Sequence, residues 1–452
     1  MDNVRELALD VLMEILEKGC YSHLVIRNVL DKYDYIDFRD KAFIKRLVEG
    51  TIERLIQLDY VLDQFSKVPV KKMKPLIRNL MRMSVYQLLF MDQIPDRAVC
   101  NEAVKLAGKR GFKGLSGFVN GVLRNIARNR ENIVYPDQVK ERKKALSVSY
   151  SMPEWLISFW EKAYGREKTE RMLEGLLEEH PVTVRLKESL SDGQREAWIR
   201  KLSEEGIRVS AHPYHSCAYR LFGDFSIKRL PGYEDGLFMV QDVSSMLAVE
   251  AAGTGTKAPL FVMDMCAAPG GKTIHMAGKL GKKGSVLAGD LTEYKVSLIR
   301  DNIKRMGCDN VKVRLHDALV PDQSLFEKAD VVLADLPCSG LGTIGKKRDI
   351  KYRITRENMK ELTGIQRSIL DVVWQYVKPG GVLVYSTCTI NPQENDEMVK
   401  WFLQNHPFSI ESLSPFLPEE LSEEGKEGML QLFPGIHESD GFFIARMVRN
   451  TV

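Results

Sequence analysis

The hydrophobic residues among the first 130 or so positions recur every three to four residues, which is the spacing of helices with one buried face. The clearest stripes are Val4, Leu7, Ala8, Val11, Leu12 and Ile15, then Ile77, Leu80, Met81, Val85, Leu88 and Leu89, then Phe118, Val119, Val122, Leu123 and Ile126. The pattern predicts an all-α domain, to which we assign residues 1–144.

The next stretch, residues 145–236, mixes helical and strand signals. Helices are predicted over 154–177 and 192–206, and the alternating segment VTVRL predicts a strand between them. We interpret this stretch as a small α/β linker domain.

Strands and helices alternate over residues 237–452. The predicted strands are FVMDM, SVLAGD, VKVRLHD, VVLAD, VLVYST and GFFIARMV. Helices are predicted from Lys272 onward, over 293–305 and over 359–377, where a PGG sequence is expected to break the last one. This alternation predicts a parallel sheet with helices on both faces, whose ligands bind at the carboxyl ends of the strands.

Composition places the chain among globular proteins. It is 44% hydrophobic and 28% charged, and it contains no apolar run of the ~18 residues that a membrane span needs. The N-terminus, MDNVRELALD, is acidic and amphipathic, whereas a secretory signal is basic and then apolar. We therefore expect a cytoplasmic protein without membrane spans and, because no exposed apolar stripe stands out, a monomer.

The seven cysteines are scattered and form no CxxC pair. This spacing argues against a disulfide framework and against a zinc site, so no metal is expected. Three of the cysteines, Cys266, Cys338 and Cys388, lie in motifs that also contain glycine or proline, where a purely structural role is less typical.

Positive charge is concentrated near the N-terminus. Between Lys71 and Arg130 the chain has 13 basic and 3 acidic residues, although its net charge is only +4. On another side of the helix that carries the third stripe, Arg124 and Arg128 lie one turn apart and could contact phosphate, or they could simply be solvated. The imbalance favours a polyanionic partner over a surface that is basic by chance.

The segment VMDMCAAPGGKT joins a predicted strand to a predicted helix through small residues, proline and glycine. Backbone amides in such a turn can approach a ligand closely, which predicts a cofactor site. It comprises Cys266, Ala267, Ala268, Pro269, Gly270, Gly271 and Lys272. The segment nearly matches a phosphate-binding loop, but Cys266 replaces the first glycine, so a nucleotide triphosphatase is kept as an alternative.

Three aspartates follow successive predicted strands. Asp290 ends the second strand of this domain, where a carboxylate usually accepts the two hydroxyls of a ribose. Asp317 is placed to accept from an adenine amino group, and Asp335 ends the fourth strand. Any one of them could be a helix cap, but three at successive strand ends indicate a ligand site.

Two cysteines follow the last two strands of this series, in ADLPCSGLGT and VYSTCTINPQEN. Behind Cys388, the residues Asn391, Pro392 and Glu394 have the spacing of a helix N-terminus with a capping box. The positive end of a helix dipole lowers a thiol pKa, and the thiolate is the nucleophile.

The segments DMCAAPGGKT, ADLPCSG and STCTINPQEN resemble the cofactor, proline-cysteine and threonine-cysteine motifs of the RNA cytosine-C5 methyltransferase family. The resemblance implies a Rossmann-like methyltransferase domain that uses S-adenosyl-L-methionine, behind an N-terminal domain similar to the antitermination factor NusB. It implies that Cys388 is the nucleophile, that Cys338 assists release of the product, and that residues 266–272, Asp290, Asp317 and Asp335 surround the cofactor. DNA cytosine methyltransferases use the proline-cysteine residue instead, so the reverse assignment stays open.

The same resemblance implies a substrate and a reaction. The expected reaction transfers a methyl group to C5 of a cytosine in 16S ribosomal RNA, cytosine 967, through a covalent bond between cysteine and C6, before the small subunit is complete. A catalytically inactive RNA-binding assembly factor is the other alternative, although the presence of both thiols argues against it.

One segment departs from the family pattern. After the proline-cysteine loop the chain has GTIGKKRDIKY, where relatives more often have two arginines and a proline. Lys346, Lys347 and Arg348 keep this segment basic and are predicted to contact RNA phosphate.

Overall fold

A computed structural model describes residues 4–33, 35–253 and 260–451. They form two compact units: one runs to Leu177 and also includes Lys346–Arg353, and the other comprises Glu178–Gly345 and Ile354–Val452. Helices that follow residue 144 belong to the first unit, and the boundaries at 144 and 236 stay predictions.

The first unit is helical, as its hydrophobic stripes predicted. Its helices are α1 (Val4–Leu16), α2 (Ser22–Lys32), α3 (Phe38–Glu53), α4 (Leu55–Phe65), α5 (Pro75–Phe90), α6 (Asp96–Lys109), α7 (Ser116–Arg128), α8 (Arg142–Tyr150), α9 (Glu154–Tyr164) and α10 (Arg166–Gly175). Leu9, Leu47, Leu80 and Leu123, from four different helices, are fully buried in one core. The predicted helix over 154–177 is interrupted at Gly165, whose φ of 81° ends α9.

The segment Lys346–Arg353 is held in this unit by ion pairs and hydrogen bonds to α3 and α2. Both Nε and Nη1 of Arg348 lie 2.8 Å from carboxylate oxygens, of Glu53 and Glu49 respectively. Nζ of Lys351 donates to the carbonyl oxygen of Glu53 at 2.9 Å, and Asp349 accepts from the backbone N–H of Ser22 at 3.2 Å. The segment therefore contributes to the structure of the helical unit.

The second unit begins with a small antiparallel sheet and one helix. Its elements are β1 (Val182–Leu186), α11 (Asp192–Glu204), β2 (Arg208–Ala211), β3 (Ala218–Phe222) and β4 (Phe238–Val240), with the strand order β2-β3-β1-β4. Trp198 and Leu202 of α11 pack against Val184 and Phe238 of the sheet. The predicted small α/β domain is therefore present.

The remainder of this unit is a Rossmann-like α/β sheet, as predicted. Its elements are α12 (Val243–Glu250), β5 (Phe261–Asp264), α13 (Gly271–Leu280), β6 (Ser285–Asp290), α14 (Glu293–Met306), β7 (Val311–Leu315), β8 (Ala329–Asp335), then, after α15 (Ile350–Arg353) of the helical unit, α16 (Arg356–Val373), β9 (Val377–Thr387), α17 (Asp396–Asn405), β10 (Phe408–Ile410), α18 (Glu419–Ser422), β11 (Met429–Leu432) and β12 (Phe442–Arg449). The strand order is β10-β12-β9-β8-β5-β6-β7. Strands β5 to β9 are parallel, whereas β12 is antiparallel to β9, an arrangement that hydrophobic alternation could not distinguish.

The sequence analysis predicted that PGG would end a helix and precede a strand, and this prediction is wrong. Helix α16 ends at Val373, and β9 runs from Val377 through the two glycines. Opposite β8 the register moves from Val377 to Val382, so the residues between them form a bulge, in which Gly380 has a φ of 73°. The glycines therefore permit an irregular strand.

None of the helices in the described part of the chain combines the length and apolar composition that crossing a bilayer requires.

We predict opposite effects for alanine at two glycines of the second unit. The backbones of Gly342 and Gly441 touch, and a Cβ on Gly342 would lie 1.8 Å from the carbonyl oxygen of Gly441. Gly342→Ala should lower the free energy of unfolding by about 1–3 kcal/mol through overpacking. Gly364→Ala, in α16 with nothing within 4 Å of the new Cβ, should raise it by up to ~1 kcal/mol. Denaturant unfolding measures both, and equal effects would contradict the close backbone contact.

Candidate active site

A cavity of about 180 Å³ opens beyond the carboxyl ends of β5 and β8. The strand order reverses here, because β6 lies on one side of β5 and β8 on the other, and such a switch point leaves a crevice. The lining residues are Val240, Gln241, Asp242, Ser245, Asp264, Cys266, Ala267, Ala268, Pro269, Gly271, Lys272 and Asp335. The predicted loop and Asp335 therefore do meet around one cavity.

The glycine-rich loop passes from β5 into α13 through a left-handed residue. Gly270 has a φ of 103°, which a side chain would strain, and Gly271 starts the helix. The N–H of Ala268 donates to Oδ2 of Asp290 at 2.9 Å. Asp290 thus stabilises the loop through this hydrogen bond.

Lys272 and Asp335 form a buried ion pair in the cavity wall. Nζ of Lys272 lies 2.8 Å from Oδ2 of Asp335, and Oγ of Ser386 donates to Oδ1 at 2.8 Å. Burial by itself would lower the pKa of Lys272, but the charge and hydrogen bond of Asp335 outweigh burial and raise it. Lys272 therefore stays cationic.

Asp264 is a cavity residue that the sequence interpretation did not select. It is 1% exposed, and Oγ1 of Thr273 donates to its Oδ2 at 2.6 Å. Its Oδ1 has no hydrogen-bond partner among the described residues. Burial raises the pKa of Asp264 to about 7. Its position at the end of the first strand of the motif was a signal that could have identified it.

The other two predicted aspartates do not line this cavity. Asp290 is 3% exposed and accepts from the backbone N–H of Leu291, and Lys295 forms an ion pair with it at 2.9 Å. Asp317 lies two residues beyond β7, where its Oδ1 accepts from the N–H of Leu319 at 2.9 Å, as a turn cap does. Their contacts with a cofactor therefore stay predictions.

Four lining residues lie outside all the motifs that the sequence analysis identified. Val240 ends β4, Gln241 and Asp242 follow it, and Ser245 is in α12. Within the described residues Nε2 of Gln241 has no hydrogen-bond partner, while its Oε1 accepts from Nε of Arg185 at 2.9 Å. No signal in the sequence marked this segment, because only the tertiary fold brings it to the loop.

The two cysteines of the predicted catalytic pair meet. Cys338 lies three residues beyond β8, Cys388 directly follows β9, and their sulphur atoms are 3.3 Å apart as thiols. The hydrogen bond with Cys388 and then burial raise the pKa of Cys338 well above its ordinary value. Cys338 is therefore harder to ionise than an ordinary cysteine. Burial also raises the pKa of Cys266.

A buried carboxylate joins the two cysteine loops. Glu394 is 0% exposed and accepts from the N–H of Ser339 at 2.9 Å, from Oγ of Ser339, from Nε2 of Gln366 at 2.9 Å and from Nδ2 of Asn391 at 2.8 Å. Asn391 does cap a short 3₁₀ turn, by accepting from the N–H of Gln393, but α17 begins only at Asp396. In the predicted capping box, the Glu394 side chain would accept from the backbone N–H of Asn391. It accepts instead from Ser339, Gln366 and the side chain of Asn391.

The cavity chemistry fits the amino-acid part of S-adenosylmethionine. An amino acid presents an ammonium donor and a carboxylate acceptor. The cavity presents the buried acceptor Oδ1 of Asp264, the buried donor Nε2 of Gln241 and the cation Lys272. Buried polar atoms of native proteins normally have partners, so a ligand that supplies them is favoured here.

The chain is similar to proteins of known name along almost all of its length. It is 37% identical over 448 residues to the probable ribosomal RNA small subunit methyltransferase B of Bacillus subtilis, covering 98% of each chain. It is 31% identical over 450 residues to ribosomal RNA small subunit methyltransferase B of Escherichia coli K12, covering 99% of each. Among solved structures, PH0851 has 25% identity and a TM-score of 0.80, with 99% of each chain covered. A methyltransferase homologue from Pyrococcus horikoshii has 27% identity and a TM-score of 0.57, over 69% of this chain and all of that one.

The sheet order and the cavity at its switch point, together with these similarities, define the class of protein, an S-adenosylmethionine-dependent methyltransferase. Family models match the NusB family over residues 2–128, the ferredoxin-like domain of RsmF/B-like methyltransferases over 152–228 and 16S rRNA methyltransferase RsmB/F over 256–448. The chain belongs to the 16S rRNA methyltransferase RsmB/F family, with a NusB-like N-terminal domain and a ferredoxin-like linker. It is an S-adenosylmethionine-dependent rRNA methyltransferase, which argues against the nucleotide triphosphatase alternative.

The predicted RNA-binding residues differ in their surroundings. Arg124 and Arg128 are exposed on α7, where Nε of Arg124 donates to Oδ1 of Asn120 at 2.8 Å. Lys346 is exposed and Lys347 is half-buried. Arg348 is engaged by Glu49 and Glu53, which compete with any phosphate for its guanidinium. RNA contact by these five residues stays a prediction.

We predict that Asp264→Asn changes how stability depends on pH. Because its pKa is raised by burial, the folded wild type holds this proton more tightly than the unfolded chain. The wild type should therefore lose stability relative to the variant as pH rises from about 4 to about 7, by roughly 4 kcal/mol at most. Urea unfolding across this range measures the difference. Parallel pH profiles for the two proteins would contradict the raised pKa.

Proposed function

We propose that this rRNA methyltransferase methylates C5 of a cytosine in 16S rRNA, cytosine 967, through a covalent bond between Sγ of Cys388 and C6 of the base. The observation that carries the proposal is the pair of thiols 3.3 Å apart, on the loops that follow β8 and β9. Asp335, at the end of β8, is common to the cavity wall and to the start of the Cys338 loop.

The chemistry explains why a thiolate is needed. C5 of cytosine is a poor nucleophile, so the Cys388 thiolate first adds to C6 and makes C5 an enamine carbon. S-adenosylmethionine, when bound, supplies an electrophilic methyl group. After C5 has been methylated, its proton passes to a base such as water, the electrons of the C5–H bond re-form the C5=C6 double bond, and the bond between Cys388 and C6 breaks with the sulphur leaving as the thiolate. Covalent catalysis thereby divides one difficult step into easier ones.

The raised pKa of Cys338 supports the assignment of roles. A thiol whose pKa is raised is a poorer nucleophile at neutral pH, which favours the other cysteine of the pair. Cys388 is therefore the nucleophile, and Cys338, as the adjacent protonated thiol, assists release of the methylated RNA. The charge of Lys272 also acts on Cys388, and a nearby cation favours a thiolate.

The cofactor and the base are assigned to neighbouring positions. Residues 266–272, with Asp264, Gln241, Asp290 and Asp317, hold the cofactor in this proposal. Asp335 is fixed by Lys272 and Ser386 and would face the cytosine ring as well as the cofactor. A fixed carboxylate can accept from the exocyclic amino group of cytosine, which distinguishes cytosine from uracil.

The substrate must expose the base. A cytosine has to leave its stack to reach a half-buried thiol, which is least costly in a single-stranded RNA loop. We therefore propose that the enzyme acts on rRNA before the subunit is complete. As the sequence analysis expects, we also propose that it acts in the cytoplasm and as a monomer. Arg124 and Arg128 on α7, with Lys346 and Lys347, are proposed to contact RNA phosphate.

We predict that Cys388→Ser abolishes methyl transfer, because a serine hydroxyl has no comparable anion at neutral pH. Cys338→Ala should instead accumulate a denaturation-resistant protein–RNA adduct, since addition proceeds and release is impaired. Labelled methyl transfer to unmethylated small-subunit rRNA measures the first effect, gel mobility of the protein measures the second, and bisulfite sequencing locates the modified base.

Cys308→Ala is the matched control, because Cys308 is a half-buried thiol of the same unit outside the cavity. It should retain activity and form no stable adduct. An adduct that accumulates with Cys388→Ser rather than with Cys338→Ala would reverse the two roles. Full activity of Cys388→Ser would exclude Cys388 as the nucleophile.

We predict that substituting Arg124 and Arg128 together by alanine weakens rRNA binding and makes it less dependent on salt. Each lost phosphate contact should flatten the slope of log affinity against log salt concentration by about 0.7–0.9. Arg348→Ala should in addition destabilise the helical unit by about 2 kcal/mol, since Glu49 and Glu53 lose their partner. Unchanged slopes for the double variant would show that α7 is simply a solvated surface.

A further inference from the structure

A cluster of two histidines and two glutamates lies in the second unit, outside the residues that line the active-site cavity. Glu188 follows β1, His215 lies between β2 and β3, Glu250 ends α12, and His275 is in the middle of α13. One nitrogen or oxygen atom from each of these four residues lies within 4.8 Å of all the others. The cluster thus joins loops of the small sheet to two helices of the Rossmann-like part.

Three of the six distances among these four atoms are close to those of a tetrahedral metal site. Nε2 of His215 is 3.2 Å from Oε1 of Glu250, and Nε2 of His275 is 3.4 Å from Oε1 of both Glu188 and Glu250. Zinc bonds to histidine nitrogen and carboxylate oxygen are about 2.0–2.2 Å, so two ligand atoms of a tetrahedron lie roughly 3.3–3.5 Å apart. The contact between His215 and Glu250 is also within hydrogen-bond range, whereas the two 3.4 Å contacts of His275 are longer than the usual 2.7–3.2 Å of an N–H···O hydrogen bond.

His275 provides an independent reason to expect a ligand. Its side chain is 0% exposed, Nδ1 has no hydrogen-bond partner among the described residues, and Nε2 has only the two carboxylate oxygens at 3.4 Å, neither of which is placed for a hydrogen bond. Buried polar atoms without partners are uncommon in native proteins, because each forgoes its hydrogen bonds to water. A metal ion on Nε2 would satisfy the nitrogen that faces both carboxylates.

We propose that Glu188, His215, Glu250 and His275 bind one Zn²⁺ ion as a structural site. Imidazole and carboxylate ligands suit zinc, and four protein ligands leave no open position for a substrate, which is typical of structural sites. The sequence did not reveal this site because its ligands are spread over residues 188–275 and include no cysteine.

Lys279 is the side chain that competes with a metal in this cluster. Its Nζ lies 2.8 Å from both carboxylate oxygens of Glu250 and 3.9 Å from Glu188. With Zn²⁺ on Oε1 of Glu250, the ammonium keeps its contact with Oε2 and orients the carboxylate from outside the coordination sphere. Without Zn²⁺, Lys279 and the buried Arg185 are cations that balance the two glutamates.

The site would fix a helix that the active site depends on. Helix α13 begins with Gly271 and Lys272 of the cofactor cavity, and His275 follows one turn later. A metal bond at His275 would therefore tether α13 to the loops that carry Glu188 and His215. Because Zn²⁺ would bind the folded chain only, it should also raise the melting temperature.

The test uses the full-length chain, stripped with a chelator and titrated with Zn²⁺ alone. We expect one equivalent to bind, the melting temperature to rise, and a Co²⁺ titration to give the intense visible absorption of a tetrahedral site. Glu188→Gln is isosteric and changes a partly exposed residue, so it should fold normally but bind Zn²⁺ at least about tenfold more weakly. His215→Ala should also lose the tetrahedral Co²⁺ spectrum.

Glu204→Gln is the matched control, since Glu204 is an exposed glutamate at the end of α11. It should bind Zn²⁺ as the wild type does. The proposal is overturned if the wild type binds no stoichiometric Zn²⁺, or if Glu188→Gln and Glu204→Gln bind it equally well. In either case Lys279 and Arg185 are the cations that balance the cluster.

Discussion

The active site depends on a carboxylate that is completely buried, that of Glu394. A buried carboxylate is tolerated only when hydrogen bonds replace its water, and those bonds fix every donor in place. Here the donors come from Ser339, beside Cys338, from Asn391, beyond Cys388, and from Gln366 of α16. One side chain therefore sets the separation of two loops that are some fifty residues apart in the sequence. The backbone of Gly342, four residues beyond Cys338, is also in close contact with that of Gly441.

A second buried charge organises the cofactor cavity. Lys272 leaves the glycine-rich loop and pairs with Asp335, which also accepts from Ser386 next to the Cys388 strand end. The ion pair thus connects the glycine-rich loop to the strands that precede the two thiols. Asp264, whose Oδ1 has no partner among the residues described, is the remaining carboxylate of the cavity, and burial keeps its pKa near 7. A bound cofactor would add the partner that Asp264 lacks.

Basic residues serve two purposes in this chain, and sequence alone did not separate them. Lys346, Lys347 and Arg348 are adjacent and all carry a positive charge. Arg348 nevertheless forms ion pairs with Glu49 and Glu53 of α3, whereas Lys346 is exposed. The partners of Arg348 lie almost 300 residues earlier in the sequence. Arg124 and Arg128, on the exposed face of an amphipathic helix, could be assigned from the helical period, because a helix defines its exposed face locally.

The sequence by itself determined what depends on neighbouring residues. The helical stripes, the alternation of strands and helices, the glycine-rich turn after β5 and the strand ends before Cys338 and Cys388 are all local patterns, and the structure has them. Only the tertiary structure decided which strands lie side by side, and with them the 3.3 Å between the two sulphurs, the place of Gln241 in the cavity and the meeting of His275 with Glu188. The physical reason is that hydrophobic periodicity specifies which face of an element is buried, but not which distant element covers it. The same reason explains why Asp290 is not among the residues that line the cavity. Its position at a strand end was predictable, but its bond to the N–H of Ala268 follows from how the loop folds over it.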